Sequence, residues 1–140
     1  MEEIKKSFFE ELDGYVRKDT IIATNSSRMV SSIFKDSVSN PSRLVNLHYF
    51  NPALVMKLVE VVQGEHCSDE TIAAVMEFCT KTNKSPIHLR KEIDGFVVNR
   101  ILRAIETEAW YLISEGICSA LEVDMAASWV STTRWNVPSV

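Results

Sequence analysis

The start of the chain alternates apolar and polar positions with the period of an α-helix. Apolar side chains recur at intervals of three or four residues, which places them on one helical face: Ile4, Phe8, Leu12 and Tyr15. Glycine and a basic residue suit the end of a helix, and both occur between Gly14 and Lys18. We therefore predict an N-terminal helix with one apolar face.

Several short apolar runs have the length and composition of β-strands. They cover Ile21–Ala23, Leu44–Phe50, Lys57–Val62 and Ser85–Leu89. The first run opens into the polar segment Thr24–Ser27, as a buried strand does where it meets a loop at its carboxyl end. These runs predict the strands of a buried sheet.

Helices are predicted between these strands. A brief helix covers Met29–Lys35. A longer one begins after Ser68, which can cap it, and Asp69 lies in its first turn, where the helix dipole favours negative charge. Its apolar face is formed by Ile72, Val75, Met76 and Cys79. The alternation of strands and helices predicts an α/β layer with mainly parallel strand pairing.

The pattern changes near residue 93, after which no strand is predicted. Apolar residues then repeat at helical spacing through a segment that ends near Gly116: Val98, Ile101, Ile105, Ala109 and Leu112. Ser119 and Glu122 have the spacing of a capping box, which opens a further helix. We therefore divide the chain into an α/β part, residues 1–93, and an all-helical part, residues 94–140.

Composition and charge narrow the class of protein. The apolar share of 46%, the charged share of 24% and the net charge of -4 are those of a globular protein and disfavour nucleic acid as a partner. The sequence contains no long apolar run, so we expect no membrane span. Cys67, Cys79 and Cys118 are widely spaced and form no metal-ligand or redox pair. Reduced thiols in a cytoplasmic protein, with no metal site, are the expectation.

Polar residues in or beside the apolar runs are the candidates for chemistry, but each has a plainer interpretation. His48 lies among aromatic residues, where histidine is often merely packed. Glu60 lies in the strand LVEVV, where a carboxylate needs a buried partner or an edge position facing water. Asn25 and Ser27 also suit a simple turn, and Asn99 suits a hydrogen bond between helices. The residue patterns alone leave these alternatives open.

Three segments together resemble the 3-hydroxyacyl-CoA dehydrogenase family. The sequence ATNSS at 23–27 is similar to the family's S-N-T-S-S segment. The sequence HYFNP at 48–52, followed by MKLVE at 56–60, resembles its H-F-F-N-P…M-K-L-V-E signature. The sequence GFVVNR at 95–100 resembles the G-F-x-x-N-R that opens its helical domain. The middle motif is the specific one, and the similarity runs from about residue 3 to residue 128.

The resemblance implies a catalytic pair, His48 and Glu60. The family's histidine removes the proton of the substrate's 3-hydroxyl group while hydride leaves C3 for NAD, and its glutamate orients the histidine. The assignment is chemically reasonable, because histidine is the side chain whose unperturbed pKa lies nearest neutrality. A carboxylate on the other ring nitrogen fixes the tautomer and stabilises the imidazolium that forms.

The resemblance also implies binding residues. Ser27 is expected to hydrogen-bond the substrate's 3-oxygen and to lie against the cofactor. Asn51 is expected to face the nicotinamide, and Lys5 to border the NAD site. Asn99 is expected to support the substrate from the start of the helical domain.

By this resemblance the fold is an incomplete Rossmann-type sheet, the C-terminal part of an NAD-binding domain, followed by the start of a helical domain. The cofactor is NAD, the substrate an acyl-CoA, and the expected assembly a homo-oligomer. Family members hold the pyrophosphate on a G-x-G-x-x-G turn, which the four glycines of this sequence do not provide. We therefore expect the chain alone to be inactive or nearly so, with an apolar sheet edge beside Ile21–Ala23.

Other interpretations follow from the same residues. The chain could instead be a non-catalytic interaction module. Alternatively, a separate polypeptide could supply the missing half of the NAD-binding domain and reassemble with this chain. Lys91-Glu92 before Gly95, and Glu108-Ala109-Trp110 after it, resemble the gulonate-dehydrogenase and lambda-crystallin branch. The HYFNP motif favours the hydroxyacyl-CoA type. The residues Trp110, Trp129 and Trp135 are expected to pack helices or a subunit interface.

Overall fold

The computed structural model describes residues 1–132 of the chain. By their contacts these residues form two compact units, the first Met1–Val97 and the second beginning at Val98. The division predicted at residue 93 stays a prediction about domains. None of the helices within the described part is long and apolar enough to cross a bilayer.

Within the described residues of the first unit, four strands form one sheet in the order β1-β2-β3-β4. Their bounds are β1 Ile22–Thr24, β2 Leu44–Tyr49, β3 Leu58–Val62 and β4 Ser85–Leu89. β1 pairs with β2 in parallel and β3 with β4 in parallel, whereas β2 and β3 are antiparallel. The expectation of an α/β fold with mainly parallel pairing is confirmed. The one antiparallel pair has a simple cause, since the short connection between β2 and β3 cannot hold a crossover helix.

The two faces of this sheet differ in what covers them. Helix α2, Asp69–Lys81, packs on the face formed by Val45, Leu47, Val59 and Val61. It begins where predicted, because the Ser68 side chain accepts a hydrogen bond from the Thr71 backbone amide. The other face of β2 carries Leu44, Asn46 and His48, since successive side chains of a strand point to opposite faces. The polar residues of β2 are therefore on the face away from α2.

Helix α1, Glu2–Tyr15, confirms the predicted helix but not the burial that its apolar stripe would suggest. Phe9 is its buried residue and packs with Ile22, Phe34 and Leu44. Three members of the stripe are exposed: Ile4, Phe8 and Tyr15. The brief helix predicted at 29–35 is a 3-10 helix, Ser31–Ser37. β1 forms one edge of the sheet, as expected, and exposes Ala23 while Ile22 is buried.

The second unit contains helices α3, Val98–Ser114, and α4, Ala120–Thr132. The predicted capping box forms: the Ser119 amide donates to Glu122 Oε2 at 2.7 Å, and the Glu122 amide donates to Ser119 Oγ at 3.4 Å. Trp110 and Trp129 are 71% and 74% exposed, so their packing role stays a prediction. Trp135 lies outside the described residues.

Candidate active site

His48 and Glu60 meet across the antiparallel strands β2 and β3. The two residues are direct partners in the strand register, so their side chains project from the same face. His48 Nδ1 lies 2.8 Å from Glu60 Oε2. His48 is 6% exposed and Glu60 is fully buried, which excludes the alternative of a glutamate at a sheet edge facing water. The pairing supplies the partner that a buried carboxylate requires.

A tight turn before α3 supplies Glu60 with a second partner. The Val97 backbone amide donates to Glu60 Oε1 at 2.9 Å. The turn brings this amide inward through positive φ angles at Gly95 (74°) and Phe96 (49°), and the positive value at Phe96 is uncommon for a residue with a side chain. Both carboxyl oxygens of Glu60 therefore accept hydrogen bonds, one from the ring and one from the backbone.

Two aromatic rings fix the position of the His48 imidazole. The Phe50 ring centroid lies 4.8 Å from that of His48, and the Phe96 centroid lies 5.3 Å away. Phe96 is fully buried. Within residues 1–132, Nδ1 is engaged by Glu60 and no hydrogen bond involves Nε2. The ring therefore presents Nε2 as the nitrogen available to a substrate.

The loop after β1 lies next to β2 and carries the predicted serine. Ser27 is exposed. Its neighbour Ser26 is buried and accepts a hydrogen bond from Lys5 Nζ at 3.1 Å. Asn25 Oδ1 accepts from the Tyr49 backbone amide at 2.8 Å, which joins this loop to the end of β2. Lys5 thus lies at the predicted loop, but it contacts the serine before Ser27.

The remaining predicted residues lie at the margins. Asn51 is exposed in the loop after β2, next to the cis peptide bond before Pro52. Lys84 Nζ donates to two carbonyl groups of this loop, that of Met56 at 2.9 Å and that of Ala53. Asn99 lies in the first turn of α3, in the second unit, and is half-buried. The structure brings together His48 and Glu60 and leaves the binding roles of Asn51 and Asn99 as predictions.

The residues present fit one end of a dinucleotide. Ligands of α/β sheets bind outside the carboxyl ends of the strands, and here the parallel strands β1 and β2 end side by side in the polar loops of Asn25, Ser27 and Asn51. Gly64, by contrast, is closed off, because a side chain there would collide with His66 and the Glu92 carboxylate. The loops suit a nicotinamide, and the described residues offer no glycine turn for a pyrophosphate.

Comparison with models of protein families shows which family the chain belongs to. A family model described as "3-hydroxyacyl-CoA dehydrogenase, NAD binding domain" matches residues 1–93, and the model of the C-terminal domain of 3-hydroxyacyl-CoA dehydrogenase matches residues 95–135. The chain belongs to the 3-hydroxyacyl-CoA dehydrogenase family. The resemblance seen in the HYFNP and MKLVE motifs is thereby confirmed.

Curated relatives of this family member include two kinds of enzyme. A 3-hydroxybutyryl-CoA dehydrogenase from Clostridioides difficile is 40% identical over 123 residues, which cover 88% of this chain and 43% of that protein. An L-carnitine dehydrogenase from Pseudomonas sp is 34% identical over 134 residues, covering 96% of this chain and 42% of that protein. The chain therefore spans about two fifths of the length of these relatives.

Two solved structures show the same fold. The structure of (S)-3-hydroxybutyryl-CoA dehydrogenase from Ralstonia eutropha superposes with a TM-score of 0.79 at 38% identity, over 86% of this chain and 42% of that one. An NAD+-dependent 5-formyl-3-hydroxy-2-methylpyridine 4-carboxylic acid 5-dehydrogenase gives a TM-score of 0.86 at 29% identity, over 92% and 42% of the two chains. The Rossmann-like sheet followed by a helical segment is thus confirmed for this family member.

Four features of the site were not predicted from the sequence. The Val97 amide and the Phe96 ring depend on the turn conformation, which carries no distinct sequence signal beyond Gly95. Ser26 was passed over in favour of its neighbour. Asn46, fully buried, lies two residues before His48 and so on the same strand face. The two-residue period of β2 was a signal that could have found Asn46.

Proposed function

We propose that this chain carries the proton-accepting part of an NAD-dependent (S)-3-hydroxyacyl-CoA dehydrogenase. One observation carries the proposal: a buried imidazole whose Nδ1 lies 2.8 Å from a fully buried carboxylate, Glu60 Oε2, with Nε2 left for a substrate. Histidine held by a carboxylate in this way is the arrangement of a general base. The family membership supplies the reaction class in which such a base acts.

The proposed reaction converts a secondary alcohol into a ketone. The 3-hydroxyl proton moves to His48 Nε2, the electrons of the O–H bond form the carbonyl, and the C3–H bond breaks. Bound NAD supplies the acceptor for that hydride. Glu60 holds the hydrogen on Nδ1 and stabilises the imidazolium, because its carboxylate faces the ring throughout. A positioned general base contributes roughly 10²–10⁴-fold to such a rate.

The other proposed roles follow from position. Ser27, exposed at the end of β1, would donate a hydrogen bond to the substrate's 3-oxygen and border the nicotinamide. Asn51 would face the nicotinamide from the loop after β2, and Asn99 would support the substrate. Lys5 would border the NAD site, where its side chain already donates a hydrogen bond to Ser26.

The substrate class is proposed as a 3-hydroxyacyl-CoA. The HYFNP motif at 48–52 is the feature in favour, because it resembles the hydroxyacyl-CoA type more than the gulonate-dehydrogenase and lambda-crystallin branch. The relatives named as L-carnitine dehydrogenases make L-carnitine the competing substrate to be measured beside it. Both are secondary alcohols, so the same base serves either.

A hybrid enzyme tests this proposal. In the C. difficile 3-hydroxybutyryl-CoA dehydrogenase, the aligned 123 residues are replaced by those of this chain. We expect the hybrid enzyme to reduce NAD with (S)-3-hydroxybutyryl-CoA faster than with L-carnitine. We expect His48→Asn in the hybrid enzyme to lower that rate about 10²–10⁴-fold, since the proton acceptor is lost.

The unmodified chain is the companion measurement. Because it offers no glycine turn for the pyrophosphate, we expect NADH to bind it more weakly than the micromolar range in a calorimetric titration. Micromolar binding would refute the expectation that the chain alone is inactive. A hybrid enzyme that unfolds cooperatively but does not oxidise either alcohol would refute the proposed function.

A second candidate function is a non-catalytic interaction module. The observation in favour is the large apolar exposure on α3 and α4, with Trp110 at 71%, Leu121 at 70% and Met125 at 58%. Apolar surface of this kind on paired helices is typical of a binding face. A second copy of the chain is the partner proposed, consistent with the expected homo-oligomer.

Sedimentation tests the association. We expect the chain to sediment as a dimer or larger species, and Trp110→Glu to shift it towards the monomer because a charge would be placed in the interface. Phe78→Glu is the matched control, since Phe78 is a 53% exposed aromatic residue on α2 in the other unit. A monodisperse monomer for the unmodified chain would exclude this candidate.

A further inference from the structure

Asn46 is a buried polar residue in the middle of β2 that the proposed reaction does not use. It is fully buried, and in the strand register it lies opposite Thr24, the last residue of β1. The loop that carries Ser26 and Ser27 begins directly after that residue. Asn46 is therefore placed beneath this loop, on the same face of β2 as His48.

The amide nitrogen of Asn46 faces three carbonyl groups of that loop. Asn46 Nδ2 lies 3.4 Å from the carbonyl oxygen of Thr24, 3.3 Å from that of Ser26 and 3.4 Å from that of Met29. Each contact is long for a hydrogen bond. Together they join the start, middle and end of the loop to one side chain. The opposite amide orientation would place Oδ1 against three carbonyl oxygens.

The other end of the same amide has no such partner. Asn46 Oδ1 is buried and accepts no hydrogen bond within the described residues. Leaving a buried acceptor unpaired is unfavourable, and such a group calls for an explanation. An apolar side chain would fill this position without the cost of the unpaired Oδ1. We therefore infer that the hydrogen-bond donor Nδ2 is the group that the position requires.

We propose that Asn46 is a positioning residue that holds the Thr24–Met29 loop against the strand carrying the base. Asn46 lies two positions before His48, which is about 7 Å along β2. The same strand therefore fixes both the base and the loop of Ser27, the proposed donor to the substrate oxygen. The distance between base and donor then depends on one rigid element. This inference rests on the proposed function and adds a residue to it.

Asn46→Ala in the unmodified chain tests the structural part. The substitution removes a side-chain amide and leaves the backbone pairing of β1, β2 and β3 in place, so the sheet should remain folded. We expect the backbone amides of residues 25–29 to lose order in ¹⁵N relaxation, with order parameters falling from about 0.85 to below about 0.6. The amides of β2 and β3 should keep their values. Unchanged order in residues 25–29 would overturn the proposal.

Gln63→Ala is the matched control. Gln63 Nε2 donates to the Cys67 carbonyl at 3.3 Å and to Asp69 Oδ1 at 2.8 Å, so this amide also ties down a loop, after β3. Its substitution should loosen residues 64–68 and leave residues 25–29 ordered. Loosening of residues 25–29 by both variants would show a general loss of stability and would overturn the assignment to Asn46.

The hybrid enzyme tests the catalytic part. A displacement of about 1 Å between reacting groups can lower a rate about 100-fold, so we expect Asn46→Ala to lower kcat by roughly 10–100-fold with less than about threefold change in KM for NAD. An unchanged kcat would overturn the positioning role. If the parent hybrid enzyme is inactive, the proposed function fails. The relaxation result on the chain still decides whether Asn46 holds the loop, so the two failures are distinguishable.

Discussion

Glutamine in place of Glu60 is expected to lower the rate of alcohol oxidation by the hybrid enzyme about 10²–10⁴-fold. The substitution keeps the shape of the side chain and changes one oxygen to an NH₂ group. The Val97 amide requires an acceptor at the Oε1 position, where it donates at 2.9 Å. The new NH₂ group must therefore face His48 Nδ1 and donate to it. The ring hydrogen then moves to Nε2, the nitrogen that should accept the substrate's proton.

The tautomer itself can be measured in the unmodified chain. ¹⁵N chemical shifts of the His48 ring should show the hydrogen on Nδ1 with Glu60 and on Nε2 with glutamine. Glu77→Gln is the control, because Glu77 is an exposed glutamate on α2 that pairs with Lys81. A Glu60→Gln hybrid enzyme that keeps full activity would contradict the orienting role, whatever the tautomer.

The His48–Glu60 contact shows what the sequence could and could not predict. The HYFNP and MKLVE motifs predicted the two residues and their roles, and the strand bounds of β2 and β3 followed from apolar runs. The motifs and the apolar runs did not predict that β2 and β3 are antiparallel. They also did not predict the register, which places His48 opposite Glu60. Register depends on backbone pairing over the whole sheet, and a shift of one residue would turn Glu60 to the face under α2.

Helix α1 shows a different limit. Its stripe of Ile4, Phe8 and Tyr15 predicted the helix, since periodicity reports local structure. Burial depends on which other elements are present, and within the described residues the sheet contacts Phe9 instead. The Lys5–Ser26 contact and the Gly95–Val97 turn were likewise unpredicted, because both arise from tertiary packing. Motif and period thus predicted the elements and singled out His48 and Glu60, whose catalytic role stays a prediction, and packing decided their surroundings.

Alanine in place of Asp13 is expected to lower the free energy of unfolding by about 3–5 kcal/mol. Asp13 Oδ1 pairs with Arg43, whose side chain is 4% exposed, and Oδ2 accepts from the Ser39 amide at 2.9 Å. Removing the carboxylate would leave a buried guanidinium without its counter-charge. Arg43 also donates to the carbonyl oxygens of Arg17 and Thr20, so it cannot turn outward without losing both contacts. Urea unfolding of the two proteins measures the difference.

Asp19→Ala is the matched control, because Asp19 pairs with Arg17 on the surface, where both side chains are more than 70% exposed. Solvent screens an exposed pair of this kind, which therefore contributes little to stability, so the control should unfold almost as the parent does. An equal loss for both variants would show that burial of the Asp13–Arg43 pair has no special effect.

Acid should remove the contribution of Asp13. Hydrogen bonds from Ser39, and then the charge of Arg43, lower the pKa of Asp13 below its ordinary value of 3.8. A carboxyl group whose pKa is lowered in the folded state makes its full contribution to folding stability at pH values above its ordinary pKa. Its contribution is lost as the pH falls through the lowered pKa, since both states then bind the proton. The difference between parent and Asp13→Ala should therefore be constant at neutral pH and shrink only below the ordinary carboxyl pKa. A difference that is already lost between neutrality and that pKa would mean that another group, not Asp13, balances the buried guanidinium.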